Sequence, residues 1–177
     1  MKKTNLLLAA LVCGCAAFAG DLYDDMASTP ELFKQWKGRT RNTKFLADKG
    51  PEGKYAVEVS NESLKTSQII RFEIPVAKIK GKKVEFSAKI KAENVVAAKE
   101  KSFYGIKFLF FAQTASGRKY YHEGNAIRSS RSGSFDWKEF EAEFKVPGDV
   151  VAASLQFGIQ NATGKIFVSD IDLDLED

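Results

Sequence analysis

From Lys54 onward, apolar side chains recur at every second position. Tyr55, Val57 and Val59 alternate with Ala56, Glu58 and Ser60, and Ile70, Phe72, Ile74 and Val76 alternate with Arg71, Glu73 and Pro75. Val84, Phe86, Ala88, Ile90 and Ala92 form a third such row, Phe140, Ala142, Phe144 and Val146 a fourth, and Ala153, Leu155, Phe157 and Ile159 a fifth. Side chains on a strand point to alternate faces, so each run predicts a strand with one buried side and one wet side. Turn signals separate the runs: Gly50-Pro51-Glu52-Gly53, Lys80-Gly81-Lys82, Ser116-Gly117, Pro147-Gly148-Asp149 and Thr163-Gly164. Only Thr29-Pro30-Glu31 reads as a helix start, with a hydroxyl cap, a first-turn proline and an acid, predicting a short helix from Pro30 to Lys37. Strands with almost no helix predict an all-β, two-sheet antiparallel sandwich, and no repeat or linker divides it.

One run breaks the alternation. Tyr104, Ile106, Phe108 and Phe110 share a face, but the other face carries Lys107, Leu109, Phe111 and Gln113. Leu109 and Phe111 predict a cover over that face, either protein or ligand.

Composition narrows the chemistry. The 27 basic and 23 acidic residues give a net charge of +4, and the single histidine is His122. Setting aside Lys2 and Lys3 leaves 25 basic residues against 23 acidic, or +2, too little for a nucleic-acid binder driven by bulk charge. Lys2 and Lys3 precede the apolar run Leu6–Val12 and the triplet Ala17-Phe18-Ala19, the pattern of an export signal over residues 1–19 cut before Gly20. The competing reading makes Cys15 the acylated residue of a lipoprotein box. Either way the chain is expected outside the cytoplasm of a bacterium, secreted, periplasmic or at the cell surface. That apolar run is too short to span a bilayer. Both cysteines, Cys13 and Cys15, lie in this segment, so residues 20–177 have no thiol for a disulfide, a zinc cluster or a nucleophile.

Four pieces then carry a resemblance. They are Gly53-Lys54-Tyr55-Ala56-Val57-Glu58-Val59, Val84-Glu85-Phe86-Ser87-Ala88-Lys89-Ile90-Lys91, the hairpin Gly133-Ser134-Phe135-Asp136-Trp137 running on to Val146-Pro147, and Gly164-Lys165-Ile166-Phe167-Val168-Ser169-Asp170-Ile171-Asp172-Leu173. Together they resemble the jelly-roll carbohydrate-binding modules, of galactose-binding-like fold, attached to secreted glycoside hydrolases. The resemblance implies a non-catalytic domain over residues 20–177 that binds a polysaccharide or oligosaccharide, with a carbohydrate-active enzyme as a partner in trans. It also implies a structural calcium held by Asp170, at the family's second aspartate, with Asp25 as an N-terminal acid. Ser169 replaces the first aspartate of that pair. Calcium takes six to eight oxygen ligands, whereas Asp170, Asp172 and Asp174 read equally as an ordinary solvent face.

Proteins hold sugars by stacking aromatic rings on pyranose faces while amides, carboxylates and guanidinium groups bond the hydroxyls. Tyr120, Tyr121 and His122, with Arg128 nearby, form one such mixture; Gln156 and Gln160, joined by Arg71 if its strand shares their sheet, form another. Trp36 is either a platform among Lys34, Lys37, Arg39, Arg41 and Lys44 or a core plug, and Trp137 is expected to pack. Arg118, Lys119, Arg128 and Arg131 against Glu123 suit either an anionic glycan or neutralisation of Glu139, Glu141 and Glu143. A glycosidase would need two carboxylates about 5–9.5 Å apart, and no inward pair is visible. Two further classes stay open: a polysaccharide lyase using tyrosine, histidine and arginine, and an adhesion module binding a protein partner.

Overall fold

The computed structural model describes residues 21–176, so the segment read as an export signal, with Cys13 and Cys15, lies outside the described residues. The chain folds as two antiparallel sheets face to face, a jelly-roll sandwich. The first sheet contains β2 (Thr43–Leu46), β3 (Ala56–Asn61), β10 (Ala162–Glu176), β5 (Lys83–Ala97) and β8 (Gly133–Lys145), in that order. A short β1 (Asp21–Tyr23) also pairs with β10, through Asp21 with Asp174 and Tyr23 with Leu173. The second sheet has the order β4 (Ser67–Glu73), β9 (Val150–Gln160), β6 (Gly105–Thr114), β7 (Lys119–His122).

The period-two rows fill the space between the sheets. Val84, Phe86, Ala88, Ile90 and Ala92 of β5 face Ile106, Phe108 and Phe110 of β6 and Leu155, Phe157 and Ile159 of β9, all buried. Phe86 meets Phe108 edge-on with ring centroids 5.4 Å apart, an arrangement aromatic quadrupoles favour. The expected helix is present as α1 (Pro30–Gln35), its start fixed by the Leu32 N–H donating to Thr29 Oγ1 at 3.2 Å. The expected continuation of β4 to Val76 stops at Glu73. Pro75 cannot donate to a ladder, and the chain turns there into a single helical turn, α2 (Val76–Ile79). A third short helix, α3 (Asn125–Ser129), follows β7.

Trp36 closes one end of the core. It is 1% exposed, its ring lies 4.9 Å from that of Phe157, and its indole N–H donates to the Met26 carbonyl at 3.1 Å. The platform reading is therefore corrected: an apolar ring with its one polar atom satisfied gains more from burial than from solvent. Trp137, expected to pack, stands half-buried on β8 outside the main core.

Candidate functional site

Strand order decides what the outer face of the second sheet presents. Because β9 lies between β4 and β6, the register sets Arg71, Gln156 and Leu109 in one row. It sets Glu73, Ser154, Phe111 and Tyr121 in the next, and Ile69, Gly158 and Lys107 in a third. Two hollows lie along these rows and share Gln156 and Tyr121. The first, about 490 Å³, is lined by Ile69, Phe103, Lys107, Leu109, Tyr121, Glu123, Gln156 and Gln160. The second, about 590 Å³, continues past Phe111 to Arg71, Glu73 and Val151. Together they form one groove across the strands.

Glycine lets strands around the groove approach closely. Gly158 has φ 149°, and a Cβ there would stand 2.1 Å from the Gln68 carbonyl oxygen. Gly105, at φ 116°, lets the start of β6 press against Arg131, whose carbonyl oxygen would lie 2.1 Å from an added Cβ. The Ile106 N–H donates to that same carbonyl at 2.9 Å. The cover expected over Leu109 is there: Leu109 is 7% exposed and lies on the groove floor with Phe103 and Tyr121 among its neighbours in the lining. Phe111 is half-buried with the Tyr121 ring 5.2 Å away. Two large aromatic residues that line the first hollow remain open to solvent, Tyr121 at 60% and Phe103 at 46%.

Beneath them lies a buried charge cluster. Lys107, 5% exposed, donates from Nζ to Glu123 Oε1 at 3.0 Å. Arg131 grips the same carboxylate through Nη2 to Oε2 at 2.5 Å and Nη1 to Oε1 at 3.3 Å, and Nη1 also donates to the Phe103 carbonyl at 3.0 Å. Burial draws the Lys107 ammonium below the ordinary lysine range, against the pull of Glu123. Across the sheet, Glu73 takes a 2.5 Å bond from Lys37 Nζ and has Arg71 Nε 4.0 Å away. The Lys37 and Arg71 backbones exchange hydrogen bonds of 2.8 and 2.9 Å, which ties the segment after α1 to the edge of β4. Gln156 donates to Ser154 Oγ at 2.8 Å, which orients its amide in the groove.

The sequence-predicted site residues therefore divide. Tyr121, Gln156, Gln160 and Arg71 come together in the groove. Tyr120 and His122 do not, because neighbours of Tyr121 on β7 must point the other way. Tyr120 packs half-buried against Phe144 at 5.8 Å, and the His122 ring lies 5.2 Å from that of Phe144. Desolvation lowers the pKa of His122, with the charge of Arg128 adding to it. Arg128 and His122 line a different hollow, about 830 Å³, at the open edge between β7 and β8, with Glu85, Glu123, Glu139, Glu141 and Glu143. That places Arg128 beside the acidic strand face. Phe103 escaped the sequence reading, because an aromatic residue in a loop after Lys99-Glu100-Lys101 carries no period to announce it.

The acids named for calcium also separate. Asp170 has one carboxylate oxygen on Lys54 Nζ at 3.2 Å and the other on Lys89 Nζ at 2.8 Å. Burial opposes its ionisation, but the two lysine hydrogen bonds prevail and hold its pKa below the ordinary value. With both oxygens on ammonium groups, Asp170 does not fit a metal ligand. Asp25 instead converges with Asp24 and Asp172, their oxygen atoms lying within 4.8 Å of one another. Asp172 accepts the Asp25 backbone N–H at 2.7 Å, yet burial and the neighbouring Asp24 push its pKa up to about 6. This all-oxygen set, short of positive charge, is of the kind a hard divalent cation takes.

No family model matches the chain, and no curated protein matches it either. Solved structures share the fold. The CBM22-1-GH10 modules of Clostridium thermocellum endo-1,4-beta-D-xylanase 10B, complexed with xylohexaose, match at 14% identity and a TM-score of 0.62, over 89% of this chain and 28% of that one. The chain thus spans little more than a quarter of that protein. The CBM22-1 xylan-binding domain of Paenibacillus barcinonensis Xyn10C matches at 13% identity and a TM-score of 0.60, over 89% of this chain and 95% of that domain. A carbohydrate esterase from the Shiga toxin-encoding bacteriophage phi24B matches at 14% identity and a TM-score of 0.53, over 89% and 99%. The fold is that of the jelly-roll carbohydrate-binding modules.

Proposed function

We propose that the protein is an exported, non-catalytic carbohydrate-binding protein that holds a polysaccharide or oligosaccharide in the groove on its second sheet. The observation that carries this reading is the hollow where two solvent-open aromatic residues, Phe103 and Tyr121, stand beside the amides of Gln156 and Gln160. Exposed rings supply apolar stacking surface, and amides bond hydroxyls as both donor and acceptor. An open groove crossing a sheet suits a chain ligand, and the fold shared with a xylan-binding domain supports the same ligand class. Among the described residues no helix is long and apolar enough to cross a membrane. Export rests on residues 1–19, with either cleavage before Gly20 or acylation of Cys15, and the module works beside a carbohydrate-active enzyme supplied in trans.

The esterase neighbour favours a second reading, with His122 in the glutamate-lined hollow as its centre. One experiment separates the two: pull-down on insoluble polysaccharides and a glycan array, with each glycan assayed for cleavage or deacylation. Saturable retention without turnover is expected. Tyr121→Ala, Phe103→Ala and Gln156→Ala should each weaken retention about tenfold, ~1.4 kcal/mol, with melting nearly unchanged. Wild-type affinity in all three variants would remove the site from this groove, and turnover lost in His122→Ala would establish the enzyme.

A further inference from the structure

The groove contains two carboxylates among its lining residues, Glu73 and Glu123, and each is already held by two cations. Glu123 sits between Lys107 and Arg131, and Glu73 between Lys37 and Arg71. Each group of three therefore carries one surplus positive charge. The surplus at Glu73 is half-exposed and solvated, but the one at Glu123 is buried: the side chains of Lys107, Glu123 and Arg131 are 6%, 8% and 14% exposed. Taking an ion from water costs several kcal/mol, and one carboxylate needs only one cation to balance it. The second cation is an expense the fold does not require.

Lys107 is also aimed at the groove. It lines the hollow between Phe103 and Tyr121, with its Nζ 5.6 Å from the Phe103 ring centroid. An ammonium has three N–H donors, of which Glu123 takes one. Arg71, half-exposed on the next strand but one, adds a guanidinium whose planar fork matches a carboxylate or sulfate. Gln156 stands between them, opposite both Arg71 and Leu109 in the sheet.

We infer that the groove takes an acidic polysaccharide, whose carboxylate or sulfate is received by Lys107 and Arg71 while its sugar rings lie against Tyr121 and Phe103. This rests on the carbohydrate-binding reading and names its ligand class. Lys107 is the residue that selects the anion, because its charge is surplus, desolvated and set in the lining of the hollow. Uronates and sulfates share this chemistry, so the test carries an arm for each.

Affinity electrophoresis and calorimetry should compare glucuronoxylan with xylan freed of uronate, and dextran sulfate with dextran, at low and moderate salt. At least tenfold tighter binding of one acidic member over its neutral partner is expected, with the preference shrinking as salt rises. The arm that shows it identifies carboxylate or sulfate as the recognised group. Lys107→Met and Arg71→Gln should each lose most of the preference for the acidic member of the pair. Arg71 is exposed, so its variant reads the site even if Lys107→Met folds poorly. Lys145→Gln, on β8 of the other sheet, removes the same charge and should keep the preference. Equal loss in Lys145→Gln would reduce the effect to bulk charge and overturn the inference. Equal binding of acidic and neutral glycans would overturn it while leaving the carbohydrate reading intact. Failure to bind any glycan would overturn that reading itself.

Discussion

Tyr120 and Tyr121 are adjacent, yet they do different work. Tyr121 opposes Phe111 across the β6–β7 ladder and stands open over the groove, whereas Tyr120 opposes Ala112 and turns toward Phe144. A buried ring such as Trp36 acts through stability alone. Trp36→Ala leaves a cavity beside Phe72 and Phe157 and strands the Met26 carbonyl, so it should cost about 3–5 kcal/mol in denaturant unfolding. A loss under 1 kcal/mol would mean that the core end is not closed as described. That alternation of roles was legible in the sequence, because successive strand residues must face opposite ways. Which tyrosine faced the groove was not, since the answer depends on what β7 pairs with.

At the scale of elements, β6 and β9 are the pair on which the groove is built. Strand β6 carries apolar residues on both faces because its inner face fills the sandwich and Leu109 on its outer face floors the hollow under Phe103 and Tyr121. The doubly apolar pattern thus announced a cover, though not its residues. Strand β9 lies this close to β4 because it has no side chain at Gly158. Gly158→Ala would set a methyl against the Gln68 carbonyl at a φ that L-residues avoid. It should lower the thermal midpoint through a loss of about 1–3 kcal/mol and weaken glycan binding together with it. Normal melting with weakened binding would place its effect in the ligand contact and not in the β4–β9 pairing. The first sheet contributes no groove residue, and its outer face carries ion pairs such as Lys83 with Glu143 at 2.5 Å and Lys83 with Glu176. Exposed pairs of this kind contribute little each.

For the whole molecule, the first and last described strands meet at one place. Strand β1 pairs with the C-terminal β10, and there Asp24, Asp25 and Asp172 bring three carboxylates together, while Lys54 and Lys89 neutralise Asp170 close by. A cation at the three-carboxylate cluster would fasten β1 to the sandwich. Calcium at a hundred times its dissociation constant should add ~2.7 kcal/mol, several degrees in the midpoint, reversed by chelator and absent in Asp172→Asn. A midpoint indifferent to calcium and chelator would leave the lysines as the only cations the fold uses here.

Local pattern determined a good deal about this protein by itself. Period-two alternation set the strands and their inward faces, and the Thr29-Pro30 cap set the one predicted helix. These are properties of single segments, settled by sterics and burial along a few residues. Tertiary structure alone decided which strands are neighbours. Long-range pairing inserted β9 between β4 and β6, which set Arg71 beside Gln156 and Leu109. It also closed Lys107 and Arg131, 16 and 8 residues from Glu123 along the chain, onto that buried carboxylate. The pattern of one strand fixes its two faces, but a groove is made of several strands in register, and that register exists only once the sheets have closed.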